Sequence, residues 1–120
     1  ATGGIALIGA GLVQAGTLTA GAGVYVESTT NSVAIGGAIT SNGTVELVSG
    51  SGNISYTSVT AASDVDFDAT GNVTGGNVTS GDSVSALAGG NLAIGNVSAG
   101  IVNPSTDPTA AYSIGLAAAP

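Results

Sequence analysis

The sequence contains no lysine, arginine, histidine, cysteine, methionine or tryptophan. Without cationic side chains it cannot neutralise nucleic-acid phosphate and is not attracted to an anionic membrane surface. Without cysteine or histidine it has no disulfide, no Cys/His metal site and no Ser-His-Asp or Cys-His catalytic set. The absences exclude nucleic-acid binding and argue against an enzyme, and we expect no cofactor.

Long apolar runs are also missing, because glycine, serine and threonine interrupt the aliphatic residues every few positions. With no run long enough to cross a bilayer, the sequence predicts no membrane insertion. The chain is instead rich in β-branched residues and glycine, with 21 glycines in 120 residues, and seven acids give it a net charge of −7. Glycine and β-branched residues disfavour helix, and the regular recurrence of aliphatic residues argues against disorder.

The aliphatic residues repeat with a period of 19 to 21 residues through residues 1–100. Three sets follow this period, and within each segment apolar positions alternate with polar ones, as in a β-strand. The predicted core columns are Ile5, Val24, Val45, Val65 and Val84; Leu12, Val33, Ile54, Val73 and Leu92; and Leu18, Ile39, Val59, Val78 and Val97.

Three short strands in each unit indicate one coil of a solenoid, in which equivalent strands of successive coils pair in parallel. The sequence therefore predicts an all-β parallel β-helix, or β-solenoid, of about five coils. A two-sheet sandwich is the alternative, but it needs longer strands and hairpin turns. Residues 101–120 contain Pro104 and Pro108 and break the pattern, so they are predicted to form a loop followed by a partial sixth coil or cap.

Gly-Asn pairs recur between the predicted strands, at the corners of the coils. Asn53, Asn72 and Asn91 occupy equivalent places, so we predict a stacked ladder in which each amide bonds to the next amide or to backbone. The glycines before them, Gly52, Gly71 and Gly90, are expected to supply a positive φ at the corner.

The repeated units resemble those of filamentous-haemagglutinin-type adhesins, for example GGIALIGAGLVQAGTLTA and GDSVSALAGGNLAIGNVSAG. Members of this family are large bacterial exoproteins, many of them exported by two-partner secretion. The resemblance covers residues 1 to about 100. It implies a right-handed β-helix with about 20 residues per coil, located outside the cell as part of an adhesin shaft.

The acids form a candidate site on the predicted outer face of one coil and its neighbour. Stacked carboxylates repel, and a calcium ion would relieve the repulsion, so the weak calcium candidates are Glu46, Asp64, Asp66 and Asp68. A solvated acidic face that keeps the rod soluble is the simpler interpretation. Glycan cleavage by paired carboxylates is a remote alternative, since β-helix lyases typically also use a basic residue and this chain has none.

An outward row of hydroxyl groups is a second candidate surface. It consists of Thr19, Thr40, Thr60, Thr79 and Ser98. Threonine rows on a flat solenoid face are how some ice-binding proteins match an ice lattice, so an ice- or glycan-binding module is one alternative function. The competing explanation is the ordinary preference of threonine for a sheet surface.

Five Asn-x-Ser/Thr sequences are potential glycan acceptors if the protein is secreted. Those at the Asn53 and Asn72 corners are better explained by the ladder. The possible glycosylation sites are therefore Asn42, Asn77 and Asn96.

These patterns together predict a non-catalytic shaft segment of an extracellular adhesin or fibre, secreted or at the cell surface. Its partners would be neighbouring coils of a longer chain, and a host or cell-surface glycan is a possible further partner. In an alternative, separate identical subunits stack end to end through their edge strands and form a filament.

Overall fold

A computed structural model describes residues 2–99 and 114–118, and every regular element in them is a β-strand. The strands form three parallel sheets, named sheets A, B and C in the order in which the chain visits them. Each of five successive coils contributes one strand to each sheet. The prediction of an all-β solenoid with about five coils and three strands per coil is confirmed, whereas its right-handedness stays a prediction.

The strands are short and follow one another in a fixed order. The first coil contains β1 (Ile5–Gly9), β2 (Val13–Ala15) and β3 (Leu18–Ala20); the second β4 (Val24–Ser28), β5 (Val33–Ile35) and β6 (Ala38–Ser41); the third β7 (Val45–Ser49), β8 (Ile54–Ser55) and β9 (Ser58–Ala61); the fourth β10 (Val65–Ala69), β11 (Val73–Thr74) and β12 (Val78–Ser80); the fifth β13 (Val84–Ala88), β14 (Leu92–Ala93) and β15 (Val97–Ser98). A final strand, β16 (Ile114–Ala118), adds a sixth rung to sheet A by pairing with β13.

Alternating burial along each strand explains why these segments fold as they do. In β4, Val24, Val26 and Ser28 are buried, while Tyr25 and Glu27 lie on the outer face. Because successive side chains of a strand point to opposite faces, each strand gives one set of residues to the interior and one to the surface. No helix long and apolar enough to cross a membrane occurs in the part of the chain that the structure describes.

The interior consists of columns of aliphatic side chains that run through successive coils. In sheet A, Val45 pairs in register with Val24 on one side and with Val65 on the other, and all three are buried. Ile5 and Val84 extend this column at its two ends. In sheet C the corresponding column is Leu18, Ile39, Val59, Val78 and Val97.

The predicted sheet B column is wrong at its first member. Val13, and not Leu12, pairs with Val33, and Leu12 is 51% exposed at the corner before β2. With Leu12 facing inward, Gln14 would also face inward, and its amide would be buried at a cost of roughly 1–3 kcal/mol without a partner. The observed register turns Gln14 outward and Ala15 inward. Two adjacent apolar residues made both registers plausible from the sequence.

The predicted division of the chain at residue 100 falls largely outside the described residues. Of the segment 101–120, which we expected to form a loop and then a partial coil or cap, the structure describes the strand Ile114–Ala118 alone. That strand lies in register with β13, with Ile114 beside Val84.

Candidate functional surfaces

The corner between sheets A and B carries a ladder of hydrogen bonds parallel to the solenoid axis. The backbone N–H of Asn72 donates to Oδ1 of Asn53, at 2.8 Å, and the N–H of Asn91 donates to Oδ1 of Asn72, also at 2.8 Å. One coil earlier, Oγ of Ser32 accepts from the N–H of Asn53. The ladder therefore joins side chain to backbone, and each side chain holds the coil that follows it.

The glycines that precede these asparagines have a different role from the one expected. Gly52, Gly71 and Gly90 all have a φ outside the left-handed region, so the prediction of a positive φ at these three residues is wrong. A Cβ at Gly71 would instead overlap Oδ1 of Asn53 in the preceding coil. The recurring Gly-Asn pair thus has a reciprocal cause, since the asparagine of one coil fills the space that the glycine of the next leaves open.

A second Gly-Asn ladder lies at the corner between sheets B and C. The N–H of Asn96 donates to Oδ1 of Asn77 at 3.0 Å, and a Cβ at Gly95 would lie 2.6 Å from that oxygen. This contact was not predicted from the sequence, in which Asn77 and Asn96 are expected only as possible glycan acceptors. The Gly-Asn pair itself was the signal that identifies both ladders. Glycosylation at these residues and at Asn42, which is exposed, stays a prediction.

Buried serines at strand ends also join the coils, a role that was not predicted from the sequence. Oγ of Ser49 donates to the carbonyl of Asn31 in the preceding coil, at 2.8 Å, and accepts from the N–H of Gly52 at 3.0 Å. Ser28 makes the same pair of contacts one coil earlier. Within the described residues no buried side-chain polar atom lacks a hydrogen-bond partner.

Serine at this position accompanies a longer corner. Four residues separate sheet A from sheet B after Ser28 and after Ser49, whereas three residues suffice after Ala69 and after Ala88. The additional residue adds a backbone N–H group that needs an acceptor. The serine hydroxyl accepts a hydrogen bond from one backbone N–H group of this segment. This coupling accounts for much of the variation between 19 and 21 residues in the period.

All six acids among the described residues lie on the outer face of sheet A or on the corner that leads into it. Glu46 and Asp66 are directly opposite each other on neighbouring strands. Partial burial and the charges of Asp66, Glu27 and Asp68 raise the pKa of Glu46 above its usual value. The pKa of Asp66 is likewise raised by partial burial and by Asp68 and Asp64.

The calcium candidates do not converge on a common point. In residues 2–99 and 114–118 no three acidic side chains are grouped so that they could hold a metal ion. Glu46 and Asp66 share a column of the sheet, but Asp68 lies in the next outward column and Asp64 precedes the strand. The sequence prediction of a shared ion at Glu46, Asp64, Asp66 and Asp68 therefore lacks the required geometry.

A shallow groove crosses the beginning of sheet A in the first three coils. It is lined by Gly4, Ile5, Gly23, Val24, Tyr25, Thr44 and Glu46. The hydroxyl of Tyr25 donates to Oε1 of Glu27 at 2.7 Å, and this bond together with partial burial raises the pKa of Tyr25 to about 12. The groove has carboxylate and hydroxyl groups but no imidazole and no cationic side chain, since the chain has no histidine, lysine or arginine.

The predicted hydroxyl row is continuous on the outer face of sheet C. Thr40 pairs in register with Thr19 on one side and Thr60 on the other. Thr79 and Ser98 continue the row through the remaining two coils. None of the described strands of sheets B and C contains a charged residue, so this face is polar and uncharged.

The fold and these surfaces define the chain as a repeat protein of the β-solenoid class. Comparison with protein families, curated proteins and solved structures finds no match to it. The class therefore depends on the in-register columns and the repeated corner contacts.

Proposed function

We propose that the chain is a non-catalytic structural segment from the shaft of an extracellular adhesin or fibre, of the filamentous-haemagglutinin type. On this proposal it is secreted or held at the cell surface, where it projects a binding region away from the cell. The observation that supports it most is the similarity of the contacts between successive coils. Corner ladders and core columns repeat along the axis, which is what a load-bearing rod of variable length requires.

The composition also suits a shaft outside the cell. The chain has no lysine or arginine, so trypsin-like proteases have no cleavage site in it. The six acids in the described part of the chain lie on sheet A or on the corner before it, where they favour solubility without interrupting the core.

Electron microscopy of the native protein tests the proposal. An antibody raised against residues 2–99 is expected to label a rod along its length, between a cell-proximal end and a distal region. Labelling of a globular particle with no rod would contradict the proposal.

A filament of separate subunits is a version of the same proposal, in which identical copies stack through their end strands. Intact-mass analysis of native material distinguishes the two arrangements. A mass far above that of 120 residues indicates one long polypeptide, whereas many copies of the chain at its own mass indicate stacked subunits.

The hydroxyl row favours a second candidate function, the binding of ice or of a glycan on sheet C. The row presents one hydroxyl per coil, about 4.8 Å apart, on a face without charge. Thermal hysteresis of the isolated protein tests the ice version, and Thr60→Val is expected to reduce it. Thr74→Val, on sheet B, is the control, and a wild-type protein without hysteresis at millimolar concentration eliminates the ice version.

A further inference from the structure

The outer face of sheet A contains a column in which apolar and acidic residues alternate from coil to coil. Through the five coils it consists of Ile8, Glu27, Val48, Asp68 and Leu87, and Ala117 of β16 follows Leu87 in register. Ile8 is 65% and Leu87 50% exposed, and Val48 lies half-buried midway between them. These three aliphatic residues lie on one line, two coils apart, so a molecule that covers this face would contact all three.

We propose that this face is a docking surface for a second copy of the same chain, and that the two copies associate when the carboxylates become protonated. Through the five coils, the order of apolar and acidic residues in the column is the same in both directions from Val48. A two-fold arrangement centred there places Ile8 against Leu87 and Glu27 against Asp68. Apolar residues then contact apolar residues and acids face acids, and each contact occurs twice, as in any isologous interface.

The charges of the carboxylates on this face determine the pH at which two copies can associate. The titratable side chains on the face are Tyr25, Glu27, Glu46, Asp66 and Asp68, with Asp64 and Asp82 on the adjoining corner. The remaining outward residues of β1 and β13 are uncharged, and the chain has no cation that could pair with these acids. At neutral pH, carboxylates of one copy would therefore face carboxylates of the other, and the copies repel.

Protonation removes this repulsion and gives each carboxyl group a hydrogen to donate across the interface. Partial burial and neighbouring acids raise the pKa of both Glu46 and Asp66, so protonation begins at a higher pH than for isolated carboxyl groups. The apolar residues of the column then make contacts that no charge opposes.

The size of the face sets the strength of the association. Five-residue strands over five rungs cover roughly 16 by 24 Å, or about 400 Å² on each copy, which is half of a standard interface. We therefore expect a weak dimer that depends on concentration, and not a permanent one. In a rod with more coils of the same pattern the contact would lengthen in proportion.

Sedimentation velocity of the whole chain at pH 7 and pH 4, over a concentration series, tests the proposal. The wild type is expected to be monomeric at pH 7 and to dimerise at pH 4. The triple variant Ile8→Thr, Val48→Thr, Leu87→Thr retains every acid and the β-propensity of these positions. It is expected to weaken the acid dimer at least about tenfold.

Two further variants separate this mechanism from precipitation near the isoelectric point. The combined variant Glu27→Gln, Glu46→Gln, Asp66→Asn and Asp68→Asn is expected to dimerise already at pH 7, because it removes the charges of all four carboxylates on the strands of this face. Leu12→Thr, which alters an exposed leucine outside sheet A, is the matched control and should leave the dimer unchanged. Circular dichroism verifies that each variant is folded.

Either of two results overturns the proposal. One is a wild type that remains monomeric at pH 4 up to millimolar concentration. The other is a triple threonine variant that associates as strongly as the wild type, since loss of net charge alone would then explain the association.

Discussion

The aromatic ring of Tyr56 occupies the space in which a side chain at Gly75, one coil later, would have to lie. Its hydroxyl donates to the carbonyl of Gly76 at 3.0 Å, and its ring centroid lies 4.9 Å from that of Phe67. Burial raises the pKa of Tyr56 to about 12, so the hydroxyl remains a donor across the physiological range. The large side chain of Tyr56 in one coil thus fits because the equivalent residue of the next coil, Gly75, has no side chain.

We expect Gly75→Ala to destabilise the protein by about 1–3 kcal/mol, because the new methyl group overlaps the Tyr56 ring and the core is closely packed. Urea denaturation measures the free energy of unfolding of the wild type and of each variant. In a Tyr56→Val background the same glycine change should cost less than in the wild type, because no ring is then overlapped. Gly36→Ala is the control, since its Cβ would lie 3.8 Å from the nearest atom, and an equal loss in both single variants would contradict the explanation.

The ladder at the corner between sheets A and B gives a second prediction. Asn53→Ala removes the acceptor of the Asn72 N–H and should cost about 1 kcal/mol. Asn53→Asp retains an oxygen at that place and should cost less. Thermal unfolding of both variants measures the difference, with Asn42→Ala, at an exposed corner position, as the control. If alanine and aspartate are equally destabilising, the hydrogen bond is not the cause.

The association of serine with the longer corner can be tested by changing both at once. Ser49→Ala alone should cost about 1–3 kcal/mol, because the N–H of Gly52 and the carbonyl of Asn31 lose their partner. Deleting Ser51 in that variant leaves Ala-Gly-Gly-Asn, the sequence that the fifth coil has at residues 88–91. We expect the double change to unfold at higher urea concentration than Ser49→Ala, and the opposite order would contradict the coupling.

The opposed acids of sheet A predict how stability depends on pH. The pKa values of Glu46 and Asp66 are raised by folding, so the folded state binds protons more readily than the unfolded state. Their contribution is fully present below about pH 4, near their unfolded pKa values, and is lost as the pH rises through the folded values. The temperature at the midpoint of thermal unfolding of the monomer should therefore decrease as the pH is raised from 4 to 7.

Glu46→Gln should flatten this dependence and raise the midpoint at pH 7 by about 1–3 °C, a small amount because both acids are partly solvated. Differential scanning calorimetry at low protein concentration avoids association. Asp82→Asn, on an exposed corner, is the matched control. A midpoint that rises steadily with pH in the wild type would refute the sign of the effect.

The sequence was sufficient to predict the register of those strands in which apolar and polar residues alternate without ambiguity. In sheet A, five-residue strands such as Val45–Ser49 allow only one assignment of inward residues, so the register could be predicted. In sheet B the strands have two or three residues, and the adjacent pair Leu12 and Val13 offered two registers that differ by one position. A short strand carries too few residues to decide between them.

The corner contacts were harder to predict, because they depend on residues of two different coils. The role of Gly71 follows from the asparagine side chain one coil before it, and the role of Ser49 from the length of the segment after it. The phrase Gly-Asn could be found in the sequence, but its cause is a distance between coils. Positive φ was the local explanation for the glycine, and the structure replaces it with a contact.

In the corner ladder, the backbone N–H of one asparagine donates to the side-chain oxygen of the asparagine 19 residues before it, and this contact occurs at Asn72 and again at Asn91. The fourth and fifth coils are paired with the same spacing of one coil. If a gene duplicated the segment from Val65 to Ser83, the asparagine ladder would continue through the additional coil with the same pair of atoms at each step. Unequal recombination between such repeats would therefore change the reach of the molecule without interrupting this ladder.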